Sequence, residues 1–244
     1  MEDNSAHVRR LWRHRGTELP TPRRGPRQQL DLDEILRIGI AIADTEGLSA
    51  VSTRAIAARL DRTAMALYPY VGTKDHLIAL MQDQATAMPE WAEPTTGLAG
   101  ALRAWALNLF NTYRAHPWLT ELPWSRATQG PHEQDWLERL LQILDTWQVD
   151  PLQRATVVTM LYATVRATAG TAAAYERMEP GSAAGWLAQA QETARQIPDF
   201  RDRYPLATSL PPHAADWRDA PEKALLSSVD LLASALTQQP PARG

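Results

Sequence analysis

Apolar residues in this chain recur every three or four positions, and nowhere do they alternate with polar residues over the length of a strand. Alanine, which loses no side-chain freedom in a helix, supplies 39 of the 244 residues, and β-branched clusters are few. The fold class expected is all-α. Asp31, with Glu34 three residues on, has capping-box spacing; Ile35, Ile38, Ile42 and Leu48 follow at roughly helical intervals, and Gly47 reads as a left-handed stop. Ser52 or Thr53 opens a short helix over 53–60, a second runs over 64–70 after Thr63, and Thr73 caps a further helix beginning at Lys74. Breaks at His116-Pro117, Gly130-Pro131, Asp150-Pro151 and Pro180-Gly181 leave helices expected over 98–115, 133–147, 152–178 and 183–196. A proline-rich loop through Pro212 then leads to a last helix over 222–236, with Leu225, Val229, Leu232 and Leu236 along one side.

With no cysteine, the chain can have no disulfide, thiolate nucleophile or cysteine-ligated metal. No apolar run of signal-peptide length lies in the first thirty residues, and none reaches 18 residues anywhere, so a cytoplasmic protein with no membrane partner is expected. Charge is unevenly spread. Residues 1–29 carry seven arginines against three acids, +4 in a chain whose net charge is −3. Pro20, Pro22, Gly25 and Pro26 lie among those charges, so residues 1–29 read as a flexible basic arm suited to a polyanion, or as a solvated tail. Residues 30–78 then form a helical hairpin domain, and residues 79–240 a larger helical domain.

Two short helices joined by three or four residues have the geometry that fits a major groove, although such hairpins also occur as plain structure. The residues narrow the choice. Glu46-Gly47-Leu48-Ser49-Ala50-Val51-Ser52-Thr53-Arg54, Ile56-Ala57 with Leu60, Leu67-Tyr68, Tyr70-Val71, and Lys74 with Leu77 closely resemble the tetracycline-repressor (TetR) family over Leu30 to Leu77. His116-Pro117-Trp118-Leu119, the Gly130-Pro131 break and Val229-Asp230-Leu231-Leu232 resemble landmarks of its C-terminal domain. The resemblance implies a homodimeric transcription regulator, in most members a repressor. A small molecule in the C-terminal domain would change the spacing of two DNA-reading heads on a near-palindromic operator.

By that resemblance, Arg54 matches a position that often reaches a guanine edge, where its fork can bond O6 and N7; a phosphate contact or a solvated arginine is the alternative. Thr53 and Thr63, at helix N-termini, can grip phosphate or simply cap. Ala64, Met65 and Ala66 offer apolar contact to thymine methyls. Tyr68 and Tyr70 match phosphate-binding positions but have the spacing of half-buried core, and Lys74 resembles a phosphate contact. Three residues depart from the pattern. Pro69 should loosen the reading helix near Tyr68. Asp61 stands where glycine is usual, and Arg62 where an apolar residue packs. Residues 31–74 carry a net charge of −1, so the arginine arm is expected to supply much of the attraction for DNA, by way of the minor groove.

Eight of the nine tryptophans follow residue 74. Trp105, Phe110, Trp118, Trp136, Trp147, Met160 and Tyr162, on helices that by resemblance surround the effector cavity, could wall a flat or apolar small molecule, with Arg166 or His116 orienting it; ordinary core packing is the alternative for each. The long 152–178 and 222–236 helices should pair across a two-fold axis, again by resemblance. No cofactor, metal or catalytic set is expected: the six histidines are scattered, and phosphate-loop and nucleophile-elbow patterns are absent. A helical interaction or small-molecule-binding protein that does not bind DNA is the other reading.

Overall fold

The computed structural model describes residues 2–16, 30–91, 97–123, 127–179, 182–209 and 217–238. Within them lie α1 (Glu2–Leu11), α2 (Leu32–Glu46), α3 (Thr53–Arg59), α4 (Ala64–Val71), α5 (Lys74–Ala85), α6 (Gly97–Ala115), α7 (Pro131–Thr146), α8 (Pro151–Glu176), α9 (Ser182–Gln196), α10 (Phe200–Arg203), α11 (Pro205–Ser209) and α12 (Ala220–Gln238). No strand occurs among the described residues, and none of their helices is long and apolar enough to cross a membrane. The fold is all-α.

Local chemistry sets the helix ends. Asp31 accepts the Asp33 N–H at 3.1 Å, Ser52 accepts from Ala55 at 3.0 Å and Thr73 from His76 at 3.2 Å, each satisfying a donor that the first turn leaves open. The expected reciprocal bond from Glu34 does not form; its carboxylate turns to Arg37 at 3.6 Å. Gly47 closes α2 at φ 86° and ψ 162°, an extended left-sided conformation open to glycine rather than the left-handed helical one expected. Ile35, Leu36 and Ile42 of α2 pack with Ile56, Leu67, Val71, Leu77 and Met81 to form the head's core. Gly39 permits the close approach, since a Cβ there would lie 2.9 Å from the Met81 sulfur.

Behind the head, α6, α8 and α12 pack on one another, and α7 closes against α5, α6 and α8. Trp105, Trp118, Trp136 and Phe110 are the largest side chains buried there. Short helices α10 and α11 occupy part of the stretch expected to be a proline-rich loop, and residues 210–216 lie outside the described residues.

The expectation of a flexible arm over residues 1–29 is corrected for residues 2–16. They form α1 and a turn docked on the head: Leu11 is buried, and the Arg13 guanidinium, only 8% exposed, donates to Asp33 and to Gln84. Apolar packing of Leu11 and a partnered, nearly buried arginine hold the segment down. Burial would raise the Asp33 carboxyl, but the Arg13 and His14 hydrogen bonds outweigh it and leave the carboxyl below the usual range. Residues 17–29, with Arg23, Arg24 and Arg27, lie outside the described residues.

Candidate nucleic-acid interface and ligand cavity

The turn between α3 and α4 is a left-handed helix stop. Asp61 sits at φ 53°, the Arg62 N–H reaches the Ala57 carbonyl at 2.9 Å and the Asp61 N–H reaches Ala58 at 3.4 Å. Thus Asp61 adopts the backbone conformation a glycine would take, and Arg62 stays exposed, its guanidinium turned back to the Asp61 carbonyl. Helix α4 does not loosen near Tyr68. It continues past Pro69 to Val71 because Leu67 and Val71, one turn apart, are both fully buried, and Gly72 at φ 70° ends it.

That packing turns other residues outward. Arg54, Thr63 and Lys74 are exposed, as are Met65 (74%) and Tyr68 (46%), which lie one turn apart on α4. Thr53, Ala64, Ala66 and Tyr70 are half-buried, and Tyr70 packs on the core. Ser52 rather than Thr53 caps α3, whereas the Thr63 side chain makes no capping bond.

In the body, a cavity of about 210 Å³ is lined by Gln82 of α5 and Thr86 just after it, Leu109 and Tyr113 of α6, Leu119, Pro123 and Ala127, Glu133, Trp136 and Leu137 of α7, and Val158, Tyr162 and Arg166 of α8. Trp136, Tyr162 and Arg166 therefore come together. Trp105 stands behind the wall, its ring edge-on to Trp136 and Tyr162, with its indole N–H on the Trp136 carbonyl at 3.0 Å. Phe110 is buried in the core under the Arg114 guanidinium. Trp118 reaches the head instead, donating to Asp44 of α2 at 2.8 Å, and His116 Nδ1 lies 2.9 Å from the same carboxylate. Met160 is 49% exposed on the outer side of α8, two positions and so about half a helical circumference from both Val158 and Tyr162. Trp147 is exposed as well.

Burial raises the Tyr113 and Tyr162 phenols above their ordinary value; Tyr113 and then Glu133 add to it at Tyr162, while at Tyr113 Arg166 opposes it in part and Glu133 adds to it. Both are neutral donors at physiological pH. Arg166 donates to the Thr120 carbonyl at 2.7 Å and to Leu122. The Glu133 carboxylate accepts from the Thr128 N–H and hydroxyl, each at 2.6 Å, and from the Gln129 N–H at 3.0 Å. An apolar floor with convergent phenols, a carboxylate and a guanidinium can orient a small polar-edged molecule.

The family model of the tetracyclin repressor-like C-terminal domain matches residues 89–220. The chain belongs to the TetR family. Over 127 residues this TetR-family chain is 38% identical to the HTH-type transcriptional repressor DrrR1 of Streptomyces coeruleorubidus, half of this chain and 46% of that one. Over 111 residues it is 28% identical to an HTH-type transcriptional regulator of Saccharopolyspora erythraea, 42% of this chain and 44% of that one. The chain thus spans about half the length of the curated relatives it matches. Among solved structures, ActR of Streptomyces coelicolor in complex with actinorhodin superposes with TM-score 0.69 at 24% identity, over 86% of this chain and 97% of that one. Apo ActR gives 0.67 at 23% identity, over 86% and 96%.

In this TetR fold, sequence reasoning overlooked much of the cavity. Gln82 and Glu133 are polar residues on helices, and Thr86 is the polar residue that ends α5, all indistinguishable in sequence from a solvated face. Tyr113, one turn after Leu109 on α6, was within reach of the helical spacing. Asp83 was overlooked too. It is buried, its Oδ1 accepts the His132 N–H at 3.1 Å, and it replaces the side-chain cap that Gly130 cannot give α7. A Cβ on Gly130 would fall 2.1 Å from that oxygen.

Proposed function

We propose that this chain is a transcriptional repressor that binds a near-palindromic DNA operator as a homodimer and is released by a small molecule held in the α5–α8 cavity. The observation that carries the reading is that α5, which starts at Lys74 directly behind α4, also supplies Gln82, and the residue that ends it, Thr86, to the cavity wall. One twelve-residue helix, about 18 Å long, adjoins both the groove-reading segment and the effector. Arg54, Thr63, Met65, Tyr68 and Lys74 are the exposed candidates for DNA contact; Thr53, Ala64, Ala66 and Tyr70 sit deeper and serve at closer approach. Trp136, Tyr162 and Arg166 are the candidates for effector contact, with Trp105 behind them.

The dimer rests on α8 and α12. Between residues 155 and 175 the only charged residue is Arg166, which bonds inward to Thr120. Outward, α8 shows Ala155, Thr159, Met160, Ala163 and Ala167, and α12 shows Leu231 at 74% exposure. An uncharged face of this length on two neighbouring helices suits a second copy. Acting on an operator assigns the protein to the cytoplasm.

Selecting double-stranded DNA from a random pool with the full-length protein tests the reading. The recovered motif should be two-fold symmetric, with half-sites about one helical turn apart. Arg54→Ala should weaken binding to it by about five- to 150-fold and relax one base position. Recovery of no preferred sequence would favour the DNA-independent small-molecule binder.

A further inference from the structure

Residues 7–15 are tied to four elements on both sides of the junction between head and body. On the head side, Arg10 donates to the Pro69 carbonyl at 3.0 Å, one of the last carbonyls of α4, which the helix itself leaves without a partner. A cation at a helix C-terminus also meets the negative end of the dipole. The His7 and His76 rings stack at 4.2 Å, joining α1 to α5, and Arg13 bonds Asp33 of α2 and Gln84 of α5. On the body side, the Trp12 indole N–H donates to the Gln129 carbonyl at 3.2 Å and Arg15 pairs with Asp135 of α7 at 2.5 Å.

We infer that α1 and the turn after it form a strap that positions α4 against the body, with Arg10 and Trp12 as positioning residues at its two ends. The inference rests on the reading of α4 as the groove-entering helix, but its structural content does not need DNA. Gln129 is where the strap meets the cavity. Its backbone is held at φ 54°, a left-handed conformation that side chains rarely adopt, and its N–H is fixed by the carboxylate of Glu133, which lines the cavity. A continuous series of polar contacts therefore runs from Glu133 through Gln129 to Trp12, along two residues of the strap to Arg10, and on to Pro69. A cavity occupant that donates a hydrogen bond, such as a hydroxyl or ammonium group, would compete for Glu133 and loosen this series. The strap thus couples the cavity to α4 alongside α5.

Hydrogen–deuterium exchange on the full chain, without ligand or DNA, tests it. Trp12→Phe removes the indole donor and keeps an aromatic ring; Arg15→Gln, at an exposed pair, removes the second body tie without threatening the fold. Each should accelerate exchange of amides in residues 127–130 and also in 65–71, by about fivefold, the factor carried by one net hydrogen bond. Arg10→Met should accelerate 65–71 alone, and Val8→Thr on the exposed side of α1 should change neither. Acceleration confined to 127–130 in both body-side variants would overturn the strap, as would wild-type rates in 65–71 for Arg10→Met. Equal acceleration throughout α6 would mean general loosening and would overturn it as well. A failure to bind DNA leaves all these outcomes readable, so the two readings can fail separately.

Discussion

Asp61 holds a left-handed backbone conformation with a side chain that gains nothing visible from it, since its carbonyl, not its carboxylate, meets Arg62. Replacing Asp61 by glycine removes that strain at the cost of unfolded-chain entropy, and a net gain of about 0.5–1 kcal/mol is expected, a rise of about 1–4 °C in Tm at fixed protein concentration. Asp83 gives a pH-dependent prediction. Burial raises its carboxyl from 3.8 to about 6, against the His132 and Glu133 N–H groups and Arg13, which pull it down. The folded state therefore holds the proton more tightly than the unfolded state. This group's contribution falls as pH rises from about 4 to 6, and the full cost, up to about 3 kcal/mol, is present above that. Asp83→Asn keeps the accepting oxygen and abolishes the charge, so its stability relative to the parent should be higher at pH 8 than at pH 4.5 by urea unfolding. Equal differences at the two pH values would contradict the assignment. Gly130→Ala should cost about 1–3 kcal/mol, because either the new methyl or the Asp83 cap must move.

At the scale of elements, caps and breaks were the legible features. Asp31, Ser52 and Thr73 are short acceptors ahead of apolar-periodic stretches, and each receives an N–H at the start of its helix. Proline and glycine breaks placed α6 through α9 and α12 to within a few residues because proline fits the first turn of a helix better than its interior, as at Pro131 and Pro151, and glycine leaves a helix at little steric cost. Three kinds of feature were not legible. In α4, burial of Leu67 and Val71 overrides what Pro69 does locally, and propensity carries no information about burial. In α1, the signal was His7 and Leu11 one turn apart, hidden among arginines that read as solvated. In the cavity, aromatic content marked the right helices, but Met160 and Tyr162 differ only in the side of α8 they occupy, which is fixed by the position of α6 and α12. The outer side of α8 makes a prediction of its own. Ala163→Glu introduces a charge where a single copy has only solvent, so the fold should persist by circular dichroism while sedimentation shifts from dimer to monomer.

Across the whole molecule, the docking of residues 2–16 redistributes the basic charge. Arg13 and Arg15 neutralise acids of the protein itself, and Arg10 serves the end of α4. On the proposed reading, long-range attraction for DNA is then expected from Arg23, Arg24 and Arg27 together with the exposed Arg54 and Lys74. Changing the three arginines at 23, 24 and 27 to glutamine should lower the slope of log affinity against log salt by about 0.9 for each that meets a phosphate. Arg13→Gln should instead lower Tm while leaving the slope intact.

The alanine and threonine surface of α8 has a mechanical consequence. Small side chains make shallow ridges, so two such helices can lie close without interlocking deeply, and a few degrees of pivot between them disturbs few fitted contacts. If two copies meet here as proposed, a seam this smooth would behave as a bearing, keeping two protomers together while letting a modest force inside either one alter the reach of the pair.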